Sequence, residues 1–326
     1  MFRIAILSAS AVLALCGMAN AQNYPWKPER PINIIVPWAA GGSTDQVVRV
    51  TAAEIEKALG QKVVIINQPG ASGSIGTKSA LEAAKDGYTW TSGAAKDIGT
   101  YAVSGLLDTK IADWRLYLSV INVSILGANP NTPYKTAKDV VEAMKAKPNS
   151  VSVATAGINS SGHAAIEAFT RALNLTYKHV SYDGGNPAVN ATVAGETELT
   201  TQLAVEQAAM IRAKRLKPLE LEGFGTIPPV TESVSGFKPD ANYFGIFVHK
   251  DVPPPVKQTL DMVWKDVISK SEALRKYAAS NGAQFAPVYG DDALKAAMPA
   301  IRSTAWQLHA AGKSKVSPDA VGIEKP

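Results

Sequence analysis

The segment Ala39-Ala40-Gly41-Gly42-Ser43-Thr44-Asp45 joins two adjacent glycines to two hydroxyls and a carboxylate. Glycines let a backbone turn tightly and approach a ligand. If a helix begins here, its free N–H groups attract negative charge. Gly157-Ile158-Asn159-Ser160-Ser161-Gly162 is a second polar turn, with two glycines and two hydroxyls. Taken alone, the first turn reads more readily as an ordinary capped helix start. Two of them on opposite walls of a cleft would suit a small molecule with two anionic or polar ends.

The flanking residues supply the elements that such turns need. The apolar run 32–36 reads as a strand, and Val48, Thr51, Ile55 and Leu59 recur at helical spacing after the first turn. Ser43 and Gln46 have the spacing of a capping box. Around the second turn, 151–155 reads as a strand and 163–173 as a helix with Ala165, Ile166, Phe169 and Leu173 on one face. Apolar 63–66, the helical stretch 74–84, a strand near Trp90 and a strand leading to Tyr182 continue the alternation. Such alternation predicts an α/β protein with mostly parallel sheets covered on both faces. The breaker-rich Asn129-Pro130-Asn131-Thr132-Pro133 reads as a crossing into a second domain, and the Gly- and Pro-rich 223–239 as the return. A strand over 243–248 and helices over 256–268 and from Ser271 follow. The expected architecture has lobe 1 at 22–122 and 223–326, lobe 2 at 123–222, two chain crossings and a hinged ligand cleft.

Met1-Phe2-Arg3, the apolar 4–17 and Ala19-Asn20-Ala21 have the form of a signal peptide cleaved after Ala21. A membrane span would need about 20 apolar residues. Leu15 before Cys16 does not suit lipid attachment. Cleavage would remove the only cysteine and, with it, disulfide or thiolate chemistry. The net charge of +5 is spread along the chain, which argues against nucleic acid as a partner.

In order and spacing, several motifs resemble the substrate-binding proteins of tripartite tricarboxylate transporters, the Bug or TctC family of periplasmic receptors. They are Arg30-Pro31-Ile32, Val36-Pro37-Trp38, the Gly41 to Asp45 turn, Leu59-Gly60-Gln61, Asn67 with Pro69 through Gly76, and Asp86-Gly87-Tyr88-Thr89. Farther on, Ala154 through Gly157 with Ser160 and His163, His179-Val180 with Tyr182, and Pro187-Ala188 match as well. The resemblance covers nearly the whole chain after the signal. It implies a type II periplasmic-binding fold and a cleft that closes on a small carboxylate, with no catalysis, cofactor or metal. It also implies delivery of the ligand to a two-component, ion-coupled permease, and the chain is expected to be a monomer. Ligand carboxylates in this family are held by backbone N–H groups, hydroxyls and waters, which agrees with two turns that contain neither Lys nor Arg. The residues expected at the ligand are Trp38, Gly41, Gly42, Ser43, Thr44, Asp45, Ala71, Ser72, Thr155, Gly157, Asn159, Ser160, His163, Tyr182, Asp183 and Gln202. The chain departs from the family pattern at Ala40, at Asn159, at Asp183-Gly184-Gly185 where lysine and glycine are usual, and in a shortened stretch between Leu219 and Pro228.

Several of these residues carry two readings. Asp45 either meets a ligand amino or hydroxyl group or only stabilises its helix. His163 either touches ligand or bonds a loop carbonyl. Asp183 either faces the cleft, where it would favour a hydroxy or amino acid over the plain analogue, or bonds its own turn. The near P-loop Gly70 to Ser79 lacks the adjacent Gly-Lys and more plausibly lines the cleft. A hydrolase using Ser160, His163 and Asp183 would lack the G-x-S-x-G context. The four histidines have no metal spacing. A sensor that presents its ligand to a regulatory partner would use the same cleft.

Overall fold

A computed structural model describes residues 23–221 and 242–325. The expected signal peptide with its Ala21–Gln22 junction and the expected return crossing at 223–239 lie outside the described residues, as does most of the shortened stretch before Pro228.

The described chain forms two sheets. The first has strands β1 (Ile32–Val36), β2 (Val63–Asn67), β3 (Thr89–Ala94), β4 (Trp114–Asn122), β10 (Asn242–His249) and β11 (Ala283–Tyr289), in the order β11-β4-β10-β3-β1-β2. In β1, Ile32, Ile34 and Val36 point to one face and Ile35 to the other, as strand alternation requires. Helices α1 (Ser43–Leu59), α8 (Pro254–Asp266) and α9 (Glu272–Asn281) cover the first face through Val48, Ile55, Leu260, Trp264 and Leu274. Helices α2 (Ser74–Glu82), α3 (Ala95–Ser104) and the 21-residue α10 (Gly290–Ala310) cover the second through Ala80, Ile98, Ala297 and Ile301.

The second sheet has β5 (Ile125–Ala128), β6 (Ser152–Thr155), β7 (Lys178–Ser181), β8 (Leu199–Thr200) and β9 (Lys217–Leu221), in the order β7-β6-β8-β5-β9. Its core joins Val153 and Leu199 to Val140 and Met144 of α4 (Ala137–Ala146) and to Ile166 and Phe169 of α5 (Ser161–Ala172). Helices α6 (Gly185–Ala194) and α7 (Ala204–Arg212) complete this half.

Two expectations are corrected. The sheets are mixed rather than mostly parallel: β1 pairs in parallel with β2 and β3, and β6 with β7 and β8, while every pairing of β4, β5, β9, β10 and β11 is antiparallel. The strands that carry the chain between the sheets run against the strand-helix units, and periodicity is blind to strand direction. The passage into the second sheet falls between Asn122 and Ile125, before the breaker-rich stretch. That stretch is instead a turn after β5, where Asn129 Nδ2 donates to Thr192 O at the end of α6 (2.8 Å) and Asn129 Oδ1 accepts from Asn131 N (2.9 Å).

A cleft walled by helix N-termini

Strands β1, β6, β7 and β8 each end at a turn that starts a helix, β3 runs directly into α3, and these strand ends meet between the two sheets. A cavity of about 20 Å³ remains among them, bordered by Trp38, Ser43, Thr44, Asp97, Ser160 and Ser161, and by Gly185, Gln202 and Glu206. That is room for about one water molecule, so a larger ligand requires the walls to part. A groove of about 370 Å³ beside Glu167, Arg171 and Tyr177 is bordered by second-half residues alone.

Gly42, rather than Ser43, caps α1, and no side chain of the turn closes a capping box. Gln46 Nε2 instead donates to Gly41 O (2.8 Å). The expected box fails because Ser43 is already the first helical residue. Its N–H is taken from across the cleft by Glu206 Oε1 at 2.9 Å. The other Glu206 oxygen accepts from Leu203 N at 3.1 Å, at the start of α7. Gln202, oriented by its hydrogen bonds, donates to that same oxygen (3.0 Å) and accepts from Ala156 N (2.9 Å). Burial pushes the Glu206 carboxyl up, while the Ser43 and Leu203 N–H groups oppose the shift.

Asp97, in the first turn of α3, is the second carboxylate at the cavity. It is 6% exposed, and Ser161 Oγ donates to its Oδ1 at 3.4 Å. Burial pushes it up to about 7; Glu206 adds to the rise, and Lys96 and Ser161 oppose it.

Ser160 caps α5, its Oγ accepting from His163 N at 3.3 Å. Ser160→Ala is expected to cost about 1 kcal/mol of stability through the lost cap and to weaken ligand binding by about 1.5–3 kcal/mol. Denaturation and calorimetry separate the two, and a stability loss with unchanged affinity would leave Ser160 as a cap alone.

The remaining expected residues divide by position. Asn159 (φ +72°) accepts from Thr100 Oγ1 of α3 at 3.1 Å, which ties the two halves together beside the cavity. Gly157 brings its loop against Ser72, whose Oγ lies 2.7 Å from where a Gly157 Cβ would be. Ala71 and Ser72 have positive φ, and Ser72 O accepts from Tyr101 Oη at 3.0 Å. Thr155 is buried at the end of β6, bonded to His179 Nε2 at 2.7 Å. His163 lies behind the turn. Its Nδ1 accepts from Asn159 N (3.3 Å) rather than meeting a carbonyl, and its ring packs 4.7 Å from that of His179. Burial, reinforced by His179, lowers its pKa to about 3, so it is neutral.

Asp45 turns away from the cavity. Arg49 grips it at 2.8 and 2.9 Å, and Gly41 N and Asn67 Nδ2 donate to it. Burial would raise its pKa, but Arg49, Gly41 and Asn67 together hold it below the usual carboxylate range. Gly41 N thus serves Asp45 rather than the cavity. Tyr182 bonds Glu196 through its hydroxyl (3.2 Å), and Asp183 is exposed. The chain turns at Gly184 (φ +140°), so Gly185 rather than Asp183 enters the cleft. Ser160, His163 and Asp183 therefore form no relay: the serine meets the backbone of His163, and the acid faces outward.

Asp97, Ser161 and Glu206 escaped the sequence reading. Their signal was present, because Leu199 to Glu206 repeats the passage from strand through turn to helix seen at Gly41 and Gly157, and Thr91 to Asp97 passes from strand directly into helix.

The model of the tripartite tricarboxylate transporter family receptor matches residues 47–301. The chain belongs to this TctC family. Among its relatives are a UPF0065 protein of Pseudomonas sp. strain P51, 27% identical over 78% of this chain and 79% of that protein, and BugT of Bordetella pertussis, 25% identical over 82% and 85%. Solved structures of the same fold include an R. palustris protein with adipate (TM-score 0.80, 21% identity, 87% of this chain and 98% of that one). They also include MatC from Rhodopseudomonas palustris with bound malate (0.78, 23%, 86% and 99%) and the periplasmic binding protein BugD (0.78, 24%, 92% and 100%). The fold is accordingly that of the type II periplasmic-binding proteins, two α/β lobes about a ligand cleft, and the family is one of substrate-binding receptors. No helix of the described residues is long and apolar enough to cross a membrane.

Proposed function

We propose that this chain is a periplasmic receptor that binds a small organic carboxylate between its lobes and hands it to the membrane subunits of a tripartite, ion-coupled transporter. It works as a monomer and performs no chemistry on its ligand. Lobe 1 comprises 22–122 and 223–326, and lobe 2 comprises 123–222. The observation that carries the reading is the meeting of Ser43 and Thr44 of α1 with Ser160 and Ser161 of α5 at one cavity. Helix N-termini present unpaired N–H groups and positive partial charge, which suit a carboxylate. The adipate- and malate-bound relatives of the same fold support the class of ligand. In this account Trp38, Ser43, Thr44, Ser160, Ser161 and Gln202 touch the ligand, while Asn159, Gly157 and His163 shape the loop that holds it.

Glu206 already occupies one N–H of α1, so binding requires the lobes to part and the ligand to share or replace that contact. Calorimetric titration with organic acids, sugars and nucleotides tests the reading. Saturable binding of a small acid is expected, and binding of a neutral sugar with no acid bound would refute it. Export is a separate part of the proposal. The exported protein should begin at Gln22 by intact mass, and a species that retains Cys16 with lipid would contradict that.

A further inference from the structure

Two acids and no base border the cavity among the described residues. Among the residues bordering the cavity, Asp97 and Glu206 are ionisable and acidic, and none is Lys or Arg. The two are not equally satisfied. Glu206 is held by Ser43 N, Leu203 N and the Gln202 amide, and its carboxyl fits against Gly185, where a Cβ would stand 2.0 Å from Oε1. Asp97 has a single long contact, Ser161 Oγ at 3.4 Å on Oδ1, and its Oδ2 accepts no hydrogen bond among the described residues. Lys96, the preceding residue on the same helix, acts on Asp97 electrostatically. Asp97 is thus a buried acceptor, one oxygen unfilled, at the wall of the cavity.

A buried carboxylate with a single long hydrogen bond is costly, and a donor that adds to it recovers part of that cost. A ligand whose only charges are carboxylates would bring a further acid beside two whose ionisation burial already opposes. A protonated nitrogen would instead supply two or three donors to acceptors already in place.

We propose that the cleft selects a small carboxylate that also bears a protonated nitrogen, with Asp97 and, beside it, Glu206 receiving the nitrogen and the N-terminus of α5 receiving the carboxylate. The proposal rests on the receptor reading above and narrows its ligand class to amino acids and their analogues. Asp97 is the specificity-determining residue.

The test titrates matched pairs that differ by one amino group: succinate and aspartate, glutarate and glutamate, butyrate and 4-aminobutyrate. Wild type and Asp97→Asn are compared by calorimetry, with thermal unfolding as the check on folding. For at least one pair the amino compound should bind wild type tenfold or more tighter than its partner. Asp97→Asn should remove most of that preference and leave the plain acid equal or tighter. If plain acids bind wild type as well as the amino compounds, this inference fails while the receptor reading stands. A preference that survives in Asp97→Asn overturns the assignment to Asp97. Failure of every acid and amino acid to bind overturns both readings.

Discussion

Asp97→Asn is expected to make the ligand-free protein more stable at neutral pH, by on the order of 3–4 kcal/mol. The sign follows from the direction of the shift. Burial pushes Asp97 from 3.8 to about 7, so the native chain holds this proton where the unfolded chain has lost it. Wild type therefore loses stability as pH rises from about 4 to about 7, at up to about 1.4 kcal/mol per pH unit, and the loss then levels off. Asparagine keeps the shape and has no proton to lose. Glu206, shifted in the same direction by burial, adds a loss of the same sign. Urea unfolding of both proteins between pH 4 and 8 checks this: the curves should converge near pH 4 and diverge toward pH 7. Parallel curves would mean that Asp97 is solvated or paired in solution. The gain carries a functional cost if the acid is kept for the ligand, as is common where stability yields to function.

Gly185→Ala is expected to destabilise the protein by roughly 3 kcal/mol or more and to weaken binding in parallel. The new Cβ would lie 2.0 Å from Glu206 Oε1 and 2.1 Å from its Cδ, so the carboxyl must leave its seat. With it go the bonds to Ser43 N and Leu203 N, the first of which spans the two lobes. Adding Glu206→Ala removes the obstruction, so the double variant should lose less than the sum of the two single changes. A Gly185→Ala protein with an unchanged urea midpoint would show that the carboxyl moves freely and bridges nothing.

Much of this architecture was legible in the chain because it rests on local signals. Ile32 to Val36 alternates faces of one sheet, and Val48, Thr51 and Ile55 bury one stripe of α1. The cap at Ser160 follows from a hydroxyl just ahead of an amphipathic run. Contacts made across the cleft were not legible. Ser43 looked like a self-capping residue, yet its partner is Glu206, 163 residues away. Asp183 drew notice as an acid beside two glycines, but the turn at Gly184 sends it outward. Asp97 and Glu206 sat in ordinary first-turn positions where acids are stabilising in any helix. Only the meeting of five strand ends gives them a common cavity.

The most direct test of the account is an amide titration of the isotope-labelled protein with the carboxylate that calorimetry finds to bind. A ligand seated between α1 and α5 should shift the resonances of Ser43, Thr44, Ser161 and Gly162 together, with a saturation curve that matches the calorimetric affinity. Shifts confined to the groove around Glu167, Arg171 and Tyr177, with those four amides unmoved at saturation, would place the ligand outside the cleft and contradict the account.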